Sequence, residues 1–465
     1  MPSNPAAGSA KQSPTNEISS SGLAHVVLGS AAGTLIEWYD FFLYAILTVV
    51  LSSQFFPGSL ATGFLFSLGA LWAGFAVRPF GAAFFGHIGD RIGRRYTFIV
   101  TLSIMGLATF CVGLLPTYQK AGLLAPVLLV LLRCLQGLAL GGEFGGAAIF
   151  VAEHAPEHRR GLYCSYIQIT GTLGLVAALV VVLLVRIELG DQTFQAWGWR
   201  IPFLISLVLV AISLYIRIRL KESPLFTKLK TAGKTSKSPL TDIRRKHWGI
   251  IAAALFGCTA GQAVVWYTGQ FYALVFLTKT LGINYKDAYI LIAIPLVLAS
   301  PFFLFFGWLS DKVGRKPLML LGCALAALLY WPIYHGMDAA VTRPMDTVGV
   351  VIVNQPAIMA LIFVQAIFVT MTYAPIGAFL VELFPARIRY TSLSIVYHLG
   401  NGEFGGLTPL MAAWIAAWYV QNHPGDPSSK FMGLLWPISI AAMTFFVGLF
   451  FLPETKNRRI FDEAT

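Results

Sequence analysis

Six ionisable residues lie inside long apolar stretches of this 465-residue chain, where an ionised group is costly. They are Glu37, Asp40, Arg78, Arg133, Glu143 and Glu403. At the centre of a bilayer such a group needs a partner or a water-filled cavity, so it is a functional candidate by default. Their chemistry points to carboxylate binding by the arginines and to proton transfer by the acids.

The first apolar stretch carries two of the acids on one helical face. Gly33, Glu37, Asp40 and Tyr44 are three or four residues apart, a spacing that places them on the same side of a helix. Two acids this close disfavour each other's ionisation, and a low dielectric favours the protonated form further. We therefore expect Asp40 or Glu37 to carry a proton. Arg133 is permanently charged, and can hold either the deprotonated acid or a ligand carboxylate.

Helical depth suggests which charges meet. At about 1.5 Å per residue, Glu37 and Asp40 lie as deep as Arg133, and Arg78 lies as deep as Glu143. We therefore expect Arg133 to pair with Asp40 or Glu37, and Arg78 to pair with Glu143. The alternative is that both pairs are structural and only fix the register of the helices.

The elements that must position these residues are membrane-spanning helices. The chain is 57% hydrophobic and 12% charged, and its apolar stretches lack the polar faces of soluble helices. Such runs must bond their backbone groups internally, which predicts an all-α polytopic protein. The expected spans are 24–52, 62–86, 96–116, 124–151, 163–187, 200–220, 248–279, 288–309, 317–336, 357–381, 391–420 and 431–453.

The basic residues predict the orientation. Of 33 Lys and Arg residues, 24 lie on the side of the two termini, seven on the other side and two within spans. The positive-inside rule places both termini in the cytoplasm. We expect a disordered tail over 1–23, a six-helix bundle over 24–220, a basic linker over 221–247, a second bundle over 248–453 and a tail over 454–465. Because the net charge of +12 sits in short loops, it does not indicate nucleic-acid binding.

Two patterns occur once in each half. G-x-x-x-D-[RK]-x-G-R-[RK] occurs at 86–95 and 307–316, and E-x-x-P-x-x-x-R occurs at 153–160 and 382–389. The offsets of 221 and 229 residues predict two pseudo-symmetric six-helix bundles, an arrangement used for alternating access. The alternative for a single copy is charge that only sets topology. We expect a cytoplasmic gate made by Gly86, Asp90, Arg91, Gly93, Arg94, Arg95, Gly307, Asp311, Gly314, Arg315, Glu153, Arg160, Glu382 and Arg389.

Uncharged polar residues extend the candidate site. The predicted ligand contacts are Arg133, Tyr44, Gln136, Tyr267, Gln270 and Tyr373. The last three lie on spans seven and ten, which the repeat makes counterparts of spans one and four; for each, a hydrogen bond between packed helices is an alternative. The roles of Glu403 and His398 stay open. No cluster of metal ligands or of nucleophile and base stands out, so we expect neither a metal nor an enzyme.

The paired loops, together with Arg133-Cys-Leu-Gln136-Gly137, resemble the signature motifs of the major facilitator superfamily. Within it, the segments 33–42, 78–81, 141–144 and 197–202 resemble the metabolite:proton symporter branch. That branch contains carriers for α-ketoglutarate, citrate, shikimate and proline or betaine. The resemblance implies a bacterial inner-membrane symporter driven by the proton gradient without a cofactor, and it leaves the solute open.

We therefore expect proton-coupled symport of a mono- or dicarboxylate, because two intramembrane arginines can bind carboxylates. Four intramembrane acids against two bases favour instead a zwitterion such as proline or betaine. A channel or a non-transporting sensor is the alternative of another class. The expected partners are a small solute, protons and membrane lipids, without nucleic acid, and the protein is expected to be a monomer.

Overall fold

The computed structural model describes residues 20–56, 58, 60–92, 94–218, 248–342, 351–385, 388–458 and 460. These residues form twelve long helices, which we number α1 to α12. Their bounds are α1 Ser20–Phe55, α2 Leu60–Ala76 and Arg78–Ile92, α3 Arg94–Leu114, α4 Leu124–Gly141 and Phe144–His154, α5 Arg160–Ala196, α6 Ile201–Ile218, α7 Trp248–Thr280, α8 Tyr285–Ala299 and Pro301–Val313, α9 Arg315–Ala339, α10 Gln355–Tyr373 and Ile376–Leu383, α11 Arg389–Leu399 continuing to Thr408–Asn422, and α12 Leu435–Phe451.

Each predicted span corresponds to one of these helices, and the all-α prediction is confirmed. Ten of the helices are long and apolar enough to cross a bilayer, and a shorter apolar helix covers Ile99–Leu114 of α3. The remaining helix, α11, has a glycine-rich middle that carries Asn401 and Glu403. The helix α1 starts at Ser20, earlier than predicted, while 1–19 and the linker 221–247 lie outside the described residues.

Several helices are interrupted where backbone bonding changes. Pro301 and Pro375 lie at breaks in α8 and α10, since proline cannot donate to the preceding turn. Wide π-helical turns cover Tyr267–Tyr272 in α7 and Gly400–Gly406 in α11. Such turns are frequent at functional sites because they re-aim side chains. A two-stranded antiparallel ribbon, β1 Val341–Thr342 with β2 Ile352–Val353, joins α9 to α10.

The twelve helices pack as two bundles of six. Within the bundles α1 packs on α5, α3 on α6, α9 on α10 and α9 on α12. Between the bundles the main contacts are α5 with α8 and α2 with α11. The sequence repeat exchanges α5 with α11 and α8 with α2, so these two interfaces are pseudo-equivalent. Large apolar side chains such as Leu131, Leu328 and Phe450 point outwards, as a lipid-facing exterior requires.

We call the end of the bundle that carries 307–316 and 382–389 the basic face, and the other end the opposite face. Both faces are closed by contacts between the bundles, described below. The space between them is packed with buried aromatic side chains, including Phe41, Phe75, Trp266 and Tyr397. The structure is therefore an occluded arrangement with the intramembrane charges enclosed.

Candidate functional site

The centre of the molecule holds two buried arginines around one aromatic ring. Arg78 of α2 and Arg133 of α4 both have zero exposure. The Phe41 centroid lies 4.1 Å from Cζ of Arg78 and 4.5 Å from Cζ of Arg133. Arg78 also lies 4.0 Å from the Phe75 centroid, and Arg133 lies 4.5 Å from that of Tyr44. Cation–π contacts of this kind stabilise a guanidinium that has lost its water.

A short polar chain fixes the orientation of Arg133. Its Nη1 donates to Oε1 of Gln136 at 2.6 Å, and Nε2 of Gln136 donates to Oγ1 of Thr109 at 2.7 Å. Gly74 of α2 lies against the guanidinium, since a Cβ there would come within 3.3 Å of Nη2. The predicted candidates Arg133, Tyr44 and Gln136 are thus brought together.

The second bundle covers this site with phenols. Tyr267 of α7 packs edge-on against Phe75, the ring that lies 4.0 Å from Cζ of Arg78, with centroids 5.3 Å apart. Tyr373 and Tyr397 are hydrogen-bonded to each other, and the Tyr397 ring stacks on Phe144 of the first bundle with centroids 3.5 Å apart. The predicted contacts Tyr267 and Tyr373 therefore lie beside the arginines, across the interface between the bundles.

The arginines keep donors open. Among the described residues no acceptor has hydrogen-bonding geometry to Nε, Nη1 or Nη2 of Arg78, or to Nε and Nη2 of Arg133. The nearby Tyr267 hydroxyl interacts with Arg78 without meeting the distance and angle required of a hydrogen bond. Buried donors without acceptors are costly, so this pattern favours a ligand that brings acceptor oxygens.

The predicted pairing of Arg133 with Asp40 is wrong in this arrangement. Oδ1 of Asp40 instead accepts a 2.5 Å hydrogen bond from Oγ of Ser206 on α6, and both side chains are buried. No ion pair between Arg133 and Asp40 or Glu37 occurs among the described residues. Equal depth along the helices does not bring two side chains together when they point in different directions: Asp40 faces α6, whereas Phe41 and Tyr44 face Arg133 of α4.

The predicted pairing of Arg78 with Glu143 is likewise wrong, since the ion pairs of the described residues do not include it and Arg78 lies on Phe41 and Phe75. The side chains of Glu143 and Glu37 are both buried. α4 is interrupted at Gly142, and Glu143 is the N-cap of the segment Phe144–His154, so the geometry of one continuous helix does not predict where its side chain points.

The remaining candidate residues, Gln270, His398 and Glu403, differ in their burial and in their neighbours. Gln270 is buried, and neither amide atom has a hydrogen-bond partner among the described residues. His398 is buried beside Phe144 and Tyr397, within electrostatic reach of Arg78. Glu403 is half-buried next to Trp72 of α2, away from the arginines' own contacts. The described residues contain no cluster of three metal-ligating side chains.

At the basic face, Asp311 of α8 closes the α5–α8 interface. Its two carboxylate oxygens accept from the backbone amides of Gly161 at 2.8 Å and Leu162 at 2.9 Å, so it caps the N-terminus of α5. Gly307 and Gly161 permit this approach, because a Cβ on Gly307 would lie 2.5 Å from Oγ of Ser165. The carboxylate also pairs with Arg315 at 2.7 Å.

Glu382 of α10 is the centre of a buried charge network. It pairs with Arg315 at 3.2 Å and, across the bundles, with Arg160 at 3.8 Å. Oγ1 of Thr455 donates to it at 2.8 Å. The carboxylate of Glu454 accepts from the backbone amides of Arg315 and Lys316, each at 3.0 Å. The predicted gate residues of the second copy therefore meet one another and the segment after α12.

The remaining predicted gate residues lie apart or outside the described side chains. Gly86 faces Tyr390, whose hydroxyl donates to the carbonyl of Gly142 at 2.5 Å. Arg389 donates to the carbonyl of Phe384, and Gly314 turns the chain with a φ of 111° that favours glycine. Glu153 is half-buried at the end of α4. Gly93 and the side chains of Asp90, Arg91, Arg94 and Arg95 lie outside the described residues.

The opposite face is closed by aromatic contacts. Arg186 of α5 lies 4.7 Å from the Tyr285 centroid at the start of α8 and pairs with Asp191. The Tyr289 hydroxyl donates to the carbonyl of Ile46 at 3.5 Å, which links α8 to α1. The sequence interpretation missed these residues, as it missed Phe41, Ser206 and Glu454. Of these residues, only Glu454 could have been singled out from the sequence, because it is an acid that directly follows the last apolar stretch.

Comparison with known proteins assigns the family. The family model described as Major Facilitator Superfamily matches residues 30–353 and 269–464. The chain belongs to the major facilitator superfamily. The inner membrane metabolite transport protein YhjE of Escherichia coli is 35% identical over 94% of this chain and 95% of that protein. The shikimate transporter of Escherichia coli is 32% identical over 85% and 88%, and its proline/betaine transporter is 30% identical over 94% and 84%.

Solved structures agree on the superfamily fold. The proton:xylose symporter XylE bound to 6-bromo-6-deoxy-D-glucose has a TM-score of 0.74 over 96% of this chain and 99% of that one, at 19% identity. This likeness supports the fold, including the two six-helix bundles. The protein is thus an integral membrane transporter of the major facilitator superfamily for a small molecule, not an enzyme.

Proposed function

We propose that the protein is a proton-coupled symporter of a small organic acid that works by alternating access without a cofactor. The observation that carries this proposal is the pair of fully buried arginines with unpartnered guanidinium donors between the bundles. Guanidinium groups bind carboxylates through two parallel hydrogen bonds. A mono- or dicarboxylate would satisfy the donors that the described residues leave open.

Asp40 is the proposed proton carrier, with Glu37 as a second candidate. The Asp40 carboxyl is buried, and its Oδ2 has no hydrogen-bond partner among the described residues. A buried carboxyl whose charge is uncompensated can change its protonation between states of different exposure. Asp40 contacts Ser206 rather than Arg133. A change in its protonation would therefore affect solute binding at the arginines through movement of α1.

The proposed motion rocks one bundle on the other. The network of Asp311, Glu382 and Arg160 would open when the basic face opens, and the Arg186–Tyr285 contact when the opposite face does. We propose that the basic face is cytoplasmic, which follows from the distribution of Lys and Arg. The relatives support a bacterial inner membrane, and we propose that the protein works as a monomer.

A zwitterion such as proline or betaine is the second candidate. Trp266, Tyr267 and Phe42 form an aromatic wall next to the arginines, with Phe42 and Trp266 stacked at 4.9 Å. Such walls suit a quaternary ammonium through cation–π contact, while the arginines would hold the carboxylate. The 30% identical proline/betaine transporter makes this class worth equal testing.

The test uses the full-length protein in sealed proteoliposomes with an imposed pH gradient. Acetate, succinate, shikimate, proline and glycine betaine are compared for accumulation and for simultaneous proton uptake. We expect a carboxylic acid to be accumulated with protons, and Asp40→Asn to abolish accumulation while solute exchange continues. Asp191→Asn, an exposed acid, is the matched control. Accumulation that ignores the pH gradient, or that Asp40→Asn and Glu37→Gln both leave intact, would refute proton coupling through these acids.

A further inference from the structure

Phe41 occupies the place where a carboxylate would meet both arginines. Its ring is fully buried within 4.5 Å of Cζ of Arg78 and of Arg133. We propose that Phe41 is a placeholder that holds the carboxylate site closed while no solute is bound, and that the solute carboxylate must displace it. This inference rests on the proposed function and makes Phe41 a specificity-determining residue of the same site.

The electrostatics of the two arginines favour such a placeholder. Two cations lie in the interior, and no carboxylate of the described residues is within ion-pair distance of either one. The negative face of an aromatic ring partly compensates a guanidinium without supplying hydrogen-bond acceptors. A carboxylate supplies both charge and acceptors, so it can outcompete the ring. A solute without a carboxylate supplies no compensating charge, so we expect it to compete with the ring less well.

The position of Phe41 also links the site to the proposed proton carrier. Phe41 and Asp40 are consecutive, so their side chains leave α1 about 100° apart. Phe41 faces α2 and α4, whereas Asp40 is hydrogen-bonded to Ser206 of α6. Phe75 and Phe42 pack against the ring at 4.7 and 5.8 Å, which hinders a simple change of rotamer. Withdrawal of Phe41 by rotation of α1 therefore moves Asp40 relative to Ser206.

The test measures carboxylate affinity in purified full-length protein with and without the ring. Acetate, succinate, shikimate and glycine betaine are titrated by tryptophan fluorescence into wild type, Phe41→Leu and Phe41→Tyr. We expect Phe41→Leu to tighten binding of the carboxylates that wild type binds by about tenfold, because the competitor is gone. The ligand-free protein should lose thermal stability while the saturated protein does not. Phe41→Tyr keeps an aromatic face and should stay close to wild type.

Phe55→Leu is the matched control, since Phe55 is a fully buried ring at the far end of the same helix that packs edge-on against Trp199. Its affinity should stay within about twofold of wild type, well below the tenfold expected for Phe41→Leu. Unchanged or weaker binding in folded Phe41→Leu would overturn the placeholder and leave the proposed function standing. If Phe41→Leu does not fold, Phe41→Met is held to the same criterion. Absence of carboxylate binding to wild type would instead contradict the proposed function and the placeholder together.

Discussion

Two pairs of buried arginines in this protein have opposite surroundings. At the basic face, Arg160 and Arg315 share the carboxylate of Glu382, and Arg315 also pairs with Asp311. In the centre, Arg78 and Arg133 contact aromatic rings and keep open donors among the described residues. The comparison separates two uses of one residue type. A charge satisfied by its own protein holds a structure closed, whereas a charge left unsatisfied is available to a ligand.

The largest expected effect comes from breaking the satisfied network. Glu382→Gln leaves two buried guanidinium groups without their shared carboxylate, and removing one partner of a buried pair costs about 3–5 kcal/mol. Thermal unfolding in detergent should show a strong loss of stability. Glu157→Gln is the control, because Glu157 also pairs with Arg160 but its side chain is 54% exposed. Equal stability of the two variants would contradict the assigned role of Glu382.

Removal of a charge from the central pair, Arg78 and Arg133, should not destabilise the protein as Glu382→Gln does. Arg78→Met removes a buried charge that has no carboxylate partner among the described residues and keeps a side chain of similar length. We expect thermal stability to be unchanged or raised by about 1–4 kcal/mol, as when buried charges are replaced by apolar residues, while transport is lost. A stability loss as large as that of Glu382→Gln would erase the distinction between the two pairs.

A smaller effect tests how closely the bundles approach at the basic face. Gly307→Ala would place a Cβ 2.5 Å from Oγ of Ser165 and 2.8 Å from the carbonyl of Gly161. Overpacking of this kind costs about 1–3 kcal/mol. Here the contact exists only while the basic face is closed, so the substitution should destabilise the closed form relative to the open one. Cysteine labelling of Ser165→Cys should therefore be faster in the Gly307→Ala background. Gly249→Ala, where a Cβ meets nothing within 4 Å, should not change the labelling rate.

The smallest effect is expected at the opposite face. Asp191 pairs with Arg186, but its side chain is 72% exposed, so water and salt screen the pair. Asp191→Asn should change stability by less than about 0.5 kcal/mol. Arg186→Gln, which also loses the contact with Tyr285, should affect the transport rate more. A larger transport defect in Asp191→Asn than in Arg186→Gln would show that the ion pair, not the aromatic contact, closes this face.

Much of the fold could be predicted from the sequence because each span is encoded locally. A run of about 20 apolar residues must form a helix in lipid, whatever its neighbours are. The repeated loops then indicated two related bundles. The site was predicted in part: Arg133, Tyr44 and Gln136 do meet, and Tyr267 and Tyr373 lie across from them. The two charge pairs were predicted wrongly. Spacing in the sequence gives the depth of a side chain in the membrane, but not the neighbouring helix that the side chain faces.

The sequence alone determined the twelve helices, the repeat and the identity of the intramembrane charges, because hydrophobicity and motif spacing are properties of single segments. Only the tertiary structure decided that Asp40 faces Ser206, that Phe41 lies against both arginines and that Glu454 caps α9. Those contacts depend on the rotation of each helix about its axis and on helices far apart in the chain. Packing against neighbouring helices sets that rotation, so it cannot be predicted from the sequence of one segment.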